Sequence, residues 1–370
     1  MDSIAFEVIS NIEQFDRIKD KWNKLSFQHY NYSFFLSHEW FDLWLKHFGR
    51  MTDLYFIIIY EVDMPVLIVP LIRHTVKKNR INIQQLELAG NFFSPFRYLI
   101  TDLRNGDKIL VLIKKLLKFI KTNKIVKWDM LSFYGIPEEQ KQAEKLMAVA
   151  VANKLYCYDE MAYGDWYEDS IPEKYEDYFK SLPKKLRKDI VYCQRRMERE
   201  GQLLFELYDN NDDLDSIMNV YFSLYANSWQ EKEKYEPDFL RNLTRLAACK
   251  NSLRLGFLKF NNKPIACQFW LNVNKTSYIF KIFYDQKYSK YSPGKVLTAK
   301  MFKSAIEADH VDLIDFVMGD ESYKKDWLPK RRTRRHVTIY GNTIKGRFMQ
   351  IVDRGIKPVI KKMVKDGETK

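Results

Sequence analysis

The alternation of hydrophobic and polar positions predicts that the chain repeats one order of elements. The first half reads as strand, two helices, hairpin, helix and strand, at 4–9, 12–25, 38–48, 54–61 with 66–74, 110–121 and 127–134. The second half reads as strand, two helices, hairpin, strand, helix and strand, at 203–208, 214–228, 236–248, 253–260 with 265–273, 276–284, from 295 and 311–318. This repeated order indicates two copies of one α/β unit.

The junction after residue 276 carries the strongest local pattern. Residues 276–284 (TSYIFKIFY) alternate as a strand, Pro293 and Gly294 interrupt the run, and apolar residues then recur at helical spacing from Lys295. A glycine at the start of a helix lets a ligand approach the free N–H groups, where an anion such as a diphosphate is stabilised. Taken alone, the spacing favours a plain turn that caps a helix.

Composition indicates a folded protein of 370 residues, with 46% hydrophobic residues and enough chain for two domains. The four cysteines form no CxxC pair and the six histidines no metal-ligand spacing, so we expect no disulfide framework and no metal site. The start of the chain, MDSIAFEVIS, does not resemble a secretory signal, and we expect a cytoplasmic location. The polar segment 158–171 predicts a boundary between domains 1–160 and 161–340.

The positive charge is concentrated at the C-terminal end. From residue 324 onward, 15 Lys or Arg stand against 4 Asp or Glu, which gives +11 of the net charge of +13. The run Lys330–Arg335 is dense, and the tail 341–370 alternates basic and apolar residues. A solvated basic face is one interpretation, and peripheral contact with an anionic membrane is another. No nucleic-acid motif accompanies the charge, so we expect no specific nucleic-acid partner.

Several motifs occur in a fixed order. They are FFLSHEW with Trp44, Phe48 and Gly49; SLPKKLRKDI at 181–190; YDQKYSKYSPGKVL at 284–297; DLIDF at 312–316; and GDESYKKDW at 319–327. In this order they resemble the GNAT-type acetyltransferases of the CelD/BcsL family, associated with polysaccharide biosynthesis and related to FemAB-like double-GNAT transferases.

The resemblance implies an α/β fold of tandem GNAT-like units, with mixed sheets flanked by helices. It implies acetyl-CoA as co-substrate, bound in the second unit where two parallel strands splay apart, while the first unit is degenerate and shapes the acceptor side. The implied cofactor-binding residues are Tyr291, Ser292, Pro293, Gly294, Lys295 and Val296. The family's usual loop, Q/RxxGxG/A, is reduced here to a single glycine.

For catalysis, the resemblance places Tyr323 just after the second splayed strand, where a tyrosine can protonate the leaving sulfur. Packing against Trp327 is the alternative role for Tyr323. Asp285 and Glu321 are the candidate bases for the acceptor.

The predicted substrate-binding residues are Lys185, Arg187, Lys281 and Trp327. On the basic helix that contains the first two, Lys184, Arg187, Lys188, Arg195 and Arg199 share a face, which would grip an acidic sugar or simply face solvent.

The predicted function is transfer of an acetyl or other acyl group from coenzyme A to an amine or hydroxyl of a sugar, nucleotide sugar or polysaccharide precursor. With no cysteine at the inferred site, direct attack is expected. Two alternatives are a FemAB-like aminoacyl transferase that uses aminoacyl-tRNA and a non-catalytic scaffold for polysaccharide synthesis.

Overall fold

The computed structural model describes residues 4–28, 33–49, 54–102, 106–123, 127–138, 141–210, 213–228 and 236–353. They divide into two compact units, 4–163 with 333–353, and 164–332. The sequence analysis placed 333–340 in the second unit. Instead this segment belongs to the first unit, because it forms a strand paired with residues 130–137. The basic tail beyond residue 353 lies outside the described residues.

The strands are β1 (Ile4–Ile9), β2 (Leu54–Glu61), β3 (Met64–Lys78), β4 (Ile81–Leu88), β5 (Met130–Pro137), β6 (Cys157–Glu168), β7 (Leu203–Tyr208), β8 (Leu253–Phe260), β9 (Lys263–Val273), β10 (Thr276–Tyr284), β11 (Leu313–Asp315) and β12 (Lys330–Tyr340). The helices are α1 (Ile12–Arg17), α2 (Lys19–Gln28), α3 (His38–Phe48), α4 (Gly106–Thr122), α5 (Gln142–Ala152), α6 (Tyr175–Ser181), α7 (Lys184–Glu200), α8 (Leu214–Ala226), α9 (Pro237–Cys249) and α10 (Pro293–Glu307). Residues 344–353 are also helical.

The first unit is built on the strand order β1-β2-β3-β4-β5-β12. Neighbouring strands are antiparallel except β4 and β5, which are parallel and are joined through α4. The core of this unit packs α4 and α5 on the sheet through buried aliphatic residues such as Leu86, Leu116, Leu131 and Leu146.

The second unit repeats this topology in the order β7-β8-β9-β10-β11-β6. The strands are again antiparallel except for the parallel pair β10 and β11, which α10 connects. Its core joins α7 and α10 to the sheet through residues such as Ile190, Trp270, Leu297 and Phe302. The predicted α/β fold with mixed sheets flanked by helices is confirmed, and so is the internal repeat.

Three strands were not predicted from the sequence, namely β4, β6 and β12. The first lay between two predicted elements, whereas β6 was interpreted as a polar boundary and β12 as part of a basic tail. Charged residues in β6 and β12 obscured the strand pattern. In the folded protein, ion pairs allow these residues to occupy strand positions. The strand predicted at 311–318 is also shorter, since β11 ends at Asp315 and Val317 adopts φ 56°.

No helix among the residues listed above is both long and apolar enough to cross a membrane.

Candidate functional site

Strands β10 and β11 separate after three residue pairs. Their parallel pairing joins 276–278 to 313–315, and β10 then continues to Tyr284. Strand β11 stops because the Asp315 Oδ1 atom accepts the Val317 N–H at 2.6 Å, which turns the chain aside. The two strands are therefore no longer paired beyond Tyr278, at the place where the resemblance implies that they splay apart.

A tight turn carries the chain from β10 into α10. The Asp285 Oδ1 atom accepts the Lys287 N–H at 2.9 Å and caps a 3-10 helical turn over Gln286–Tyr291. Ser292 then adopts the left-handed conformation, with φ 48° and ψ 51°, and α10 begins at Pro293. Proline suits a first helical position because it has no N–H to leave unsatisfied.

Few amides are available at this start of α10. Pro293 has no N–H, and the Lys295 N–H donates to the Ser292 carbonyl at 3.0 Å. Among the first three residues of α10, Gly294 therefore provides the one remaining backbone N–H donor. A Cβ atom added at Gly294 would lie 3.4 Å from Tyr284 Cδ1, so alanine fits there at ordinary contact distance. The junction is thus a helix N-terminus that exposes one early amide to an anion.

A buried chain of hydrogen bonds fixes this turn. The indole N–H of Trp270 donates to Gln268 Oε1 at 2.8 Å, and Gln268 Nε2 donates to Thr298 Oγ1 at 2.6 Å. The Thr298 hydroxyl donates in turn to the Gly294 carbonyl at 2.8 Å. Because Gln268 and Thr298 are buried, these bonds satisfy groups that would otherwise destabilise the fold.

A cavity of about 880 Å³ lies at the junction, within the second unit. Its walls come from the start of α7, the end of β10, the start of α10 and the segment after Gly319. The lining residues are Pro183, Lys185, Leu186, Asp189, Ile282, Tyr284, Ser289, Ser292, Gly294, Lys295, Thr298, Ser322, Tyr323, Lys325, Asp326 and Trp327.

Six residues predicted from the sequence line this cavity. They are Lys185, Ser292, Gly294, Lys295, Tyr323 and Trp327. The Lys295 Nζ atom lies 2.8 Å from Asp189 Oδ2 on α7, which joins two walls of the cavity.

The other predicted cofactor-binding residues, Tyr291, Pro293 and Val296, are buried at the junction. Val296 is fully buried, and Pro293 is buried at the first position of α10. The Tyr291 ring is buried, with its hydroxyl donating to Glu200 Oε2 and the Arg196 guanidinium 4.9 Å from the ring centroid. These residues do not line the cavity.

The predicted bases and two predicted substrate residues lie outside the cavity lining. The Asp285 carboxylate caps the 3-10 turn, and Glu321 forms an ion pair with Lys324 at 2.8 Å. Arg187 donates from Nε to the Leu182 carbonyl at 3.1 Å and lines a separate groove along α7. Lys281 lies on β10, with its Nζ atom 5.6 Å from the centroid of the Phe280 ring.

Tyr323 lies in the cavity wall with 44% of its surface exposed. Its ring packs edge-on against Phe316, with centroids 6.0 Å apart, while the Trp327 ring packs against Phe302. Desolvation and then the negative charge of Glu321 raise the pKa of the Tyr323 phenol well above its usual value. The phenol therefore keeps its proton at neutral pH.

Asp326 is a lining carboxylate that was not predicted from the sequence, as is Asp189, which pairs with Lys295. It lies in a short 3-10 turn, Lys324–Asp326, where its backbone N–H donates to the Tyr323 carbonyl at 3.2 Å. Lys325 lines the cavity beside it. The motif GDESYKKDW contained both residues, and the three-residue spacing between Tyr323 and Asp326 on a helical turn was the available signal.

Buried ion pairs hold the end of β11. Arg332 donates to Asp165 Oδ2 at 2.7 Å and to Asp315 Oδ2, and both carboxylates are fully buried. The guanidinium also lies 4.3 Å from the centroid of the Tyr167 ring. Asp315 is thus part of the buried network that stabilises the end of β11.

The basic run at 330–335 is not an open cationic face. In the second unit Lys330 pairs with Glu168 and Asp169, and Arg331 pairs with Asp320 at 2.7 Å. In the first unit Arg335 pairs with Asp159, and Arg334 is fully buried, donating to the Tyr98 hydroxyl at 2.9 Å. Carboxylates therefore compensate most of this run.

Across the part of the chain that the structure describes, no three His, Cys, Asp or Glu side chains form a group that could hold a metal ion.

Comparison with known proteins bears on the same region. Residues 184–325 match the family model described as an acetyltransferase (GNAT) domain, and this range includes every residue from α7 to Lys325 that lines the cavity. No curated protein matches the chain. The match identifies a GNAT acyltransferase fold in the second unit, while the narrower CelD/BcsL assignment stays a prediction.

Solved structures extend the likeness to the whole chain. FemX aligns over 90% of this chain and 98% of its own, with TM-score 0.59 and 10% identity. A conserved protein of unknown function from Bacteroides thetaiotaomicron aligns over 91% and 100%, with TM-score 0.52 and 14% identity. The C-terminal domain of a putative lysylphosphatidylglycerol synthetase from Agrobacterium fabrum aligns over 91% and 97%, with TM-score 0.50 and 11% identity. At these identities the likeness shows the fold alone.

Proposed function

We propose that this protein transfers an acyl group, acetyl in the simplest case, from coenzyme A to an amine or hydroxyl of a sugar, nucleotide sugar or polysaccharide precursor. The observation that carries this proposal is the cavity of about 880 Å³, which combines the diverging strands, the start of α10 and the Tyr323 hydroxyl. The match of residues 184–325 to a GNAT acetyltransferase domain supports it.

The cavity suits a long donor that carries phosphate and amide groups. Beyond Tyr278, β10 continues without pairing to β11, and we place the amide-bearing part of the donor beside this part of the strand. Gly294 offers its amide to phosphate at the start of a helix, and the ammonium groups of Lys185 and Lys325 line the same cavity. Coenzyme A would supply an activated thioester at this position.

Two side chains of the wall are suited to the proton transfers. Tyr323 remains protonated, so its hydroxyl can donate to the sulfur as negative charge develops there. Asp326 can accept the proton of the attacking amine or hydroxyl. The lining includes no cysteine, which favours direct attack of the acceptor on the thioester over an acyl-enzyme.

A saccharide acceptor follows from the sequence resemblance and suits the polar wall formed by Lys185 and Ser322. We place this activity in the cytoplasm, with the tail beyond residue 353 as a candidate contact with an anionic membrane. The likeness to FemX over nearly the whole chain keeps aminoacyl transfer as the second candidate.

Titration of the full chain with acetyl-CoA in a thermal-shift assay tests the donor. A ligand at 100 times its Kd stabilises a protein by about 2.7 kcal/mol. Gly294→Leu should abolish the shift by filling the approach to the helix start, whereas Gly294→Ala should retain it because its Cβ has room. If no acyl-CoA produces a shift, the proposal fails. Transfer of labelled acetyl to a panel of amino sugars and nucleotide sugars then tests the acceptor.

A further inference from the structure

A second concave surface runs along α7, on the helix that also forms one wall of the donor cavity. This α7 groove has a volume of about 890 Å³. Phe179, Val191 and Tyr192 provide its apolar part, its cationic residues are Arg187, Lys188, Arg195 and Arg199, and Glu198 is the one carboxylate among the described residues that line it. Tyr192 is 60% exposed and Val191 36% exposed, so the apolar part of the groove is open to solvent.

Most of the positive charge of the α7 groove is not compensated. Within the described residues, Asp189 pairs with Lys295 and Glu200 with Arg196, while Glu198 lines the groove and accepts a hydrogen bond from Gln194. No described carboxylate forms an ion pair with Lys188, Arg195 or Arg199. This differs from the run at 330–335, where most cations have partners.

The spacing of these groups defines the shape of a partner. From Arg187 to Arg199 the groove follows about 18 Å of helix, at about 1.5 Å per residue. An apolar floor between basic residues is complementary to an amphipathic helix that is acidic on its flanks. Single-stranded RNA, by contrast, is recognised through successive aromatic platforms, and the α7 groove exposes one tyrosine.

The α7 groove and the donor cavity are adjacent on the same helix. Lys185, Leu186 and Asp189 line the cavity, while Arg187 and Lys188 line the groove. The start of α10 supplies one early amide, from Gly294, which can bind the phosphodiester at the end of a phosphopantetheine arm. A donor arm that is attached to a protein by one phosphodiester needs only this one amide to bind its phosphate.

We propose that the α7 groove docks an acidic helical carrier protein, which presents the acyl group as a thioester on a phosphopantetheine arm that enters the donor cavity. This inference rests on the proposed function, because it names the carrier of the same acyl donor. The acceptor amine or hydroxyl forms the new C–N or C–O bond as the C–S bond breaks. The proton of the acceptor leaves to a carboxylate of the wall, and the sulfur departs as the thiol of the arm.

Binding of the full chain to a fluorescently labelled holo acyl carrier protein with an acidic surface tests the inference. Arg195→Glu/Arg199→Glu reverses two cations of the groove that lie outside the donor cavity, and Lys263→Glu reverses an exposed lysine at the start of β9 as the matched control. We expect the double variant to weaken carrier binding at least tenfold and Lys263→Glu to change it less than twofold. The acetyl-CoA thermal shift should be the same in all three proteins.

The outcomes separate the two proposals. Equal carrier binding by the wild type and the double variant, or no carrier binding at all, overturns the inference even if acetyl-CoA still stabilises the protein. Tighter binding of a single-stranded RNA than of the carrier, abolished by the same reversal, also overturns it and assigns the groove to RNA. Carrier binding that the reversal removes, without any acetyl-CoA shift, supports the inference and rejects free coenzyme A as the donor.

Discussion

Lys295 Nζ lies 2.8 Å from Asp189 Oδ2 and so connects the first turn of α10 to α7. A lysine at a helix N-terminus is unfavourable because the helix dipole is positive there. The carboxylate of Asp189 offsets this cost and holds the ammonium in the cavity wall. The pair thus keeps a cation beside the Gly294 amide, where a donor phosphate would bind.

Lys295→Met should weaken donor binding about tenfold by removing one charge-assisted contact with phosphate. Calorimetric titration with acetyl-CoA measures the change in Kd. Lys303→Met on the same helix is the control, since Lys303 pairs with Glu307 on an exposed surface. Equal Kd values for the Lys295 variant and the wild type would remove Lys295 from the donor site.

Tyr323→Phe should lower kcat roughly 10²-fold, the lower end of the usual contribution of a positioned acid. The Kd for acetyl-CoA should not change, because the ring and its packing on Phe316 are retained. Steady-state kinetics with the best acceptor from the panel gives kcat, and Tyr288→Phe is the control. Full turnover in Tyr323→Phe would show that another group assists the leaving sulfur.

The raised pKa of Tyr323 predicts that the protein loses stability as the pH rises above about 10. Its folded-state pKa lies above the unfolded value of about 10, so its contribution to stability is present below pH 10 and is lost as the pH rises further. Urea unfolding should therefore show a larger loss between pH 9 and pH 11 for the wild type than for Tyr323→Phe. The same loss in both proteins would contradict the assignment.

Asp326→Asn should lower kcat by about 10²-fold or more while leaving the fold intact, because it removes the lining carboxylate that we assign as base. Asp285→Asn is the matched control, since asparagine retains the capping bond to Lys287 and should stay near wild-type activity. Initial rates at saturating donor measure both. The reverse pattern would identify Asp285, the residue suggested by the sequence, as the base.

Arg332→Met should destabilise the protein by about 3–5 kcal/mol, because it leaves the buried carboxylates of Asp165 and Asp315 without their shared partner. Lys330→Met, which removes a more exposed pair, should change the free energy of unfolding much less. Denaturant unfolding of both variants gives the difference. A loss below about 1 kcal/mol in Arg332→Met would contradict the buried network.

Local pattern was sufficient for much of the second unit. The strand 276–284, the turn at Pro293 and Gly294 and the helix after them were predicted, because alternation, a proline and a glycine act on the backbone within a few residues. The splayed strands beside β10 were instead implied by the family resemblance, and Gly294, Lys295 and Tyr323 line one cavity there.

Local sequence patterns could not predict which side chains form ion pairs in the folded protein. Arg332 and Asp165 are 167 positions apart in sequence, so no local pattern could show that the basic run becomes a buried, compensated strand. The choice among Asp285, Glu321 and Asp326 likewise depends on which carboxylate is engaged in capping or pairing and which lines the cavity.

The sequence by itself determined the repeated α/β order and the strand-turn-helix junction, because backbone preferences and hydrophobic periodicity are local. Only the tertiary structure decided that 333–340 complete the first unit, that Asp326 lines the cavity, and that the cations of the α7 groove lack the carboxylate partners found for most of 330–335. The physical reason is that strand pairing, burial and ion pairing depend on residues brought together from distant parts of the chain.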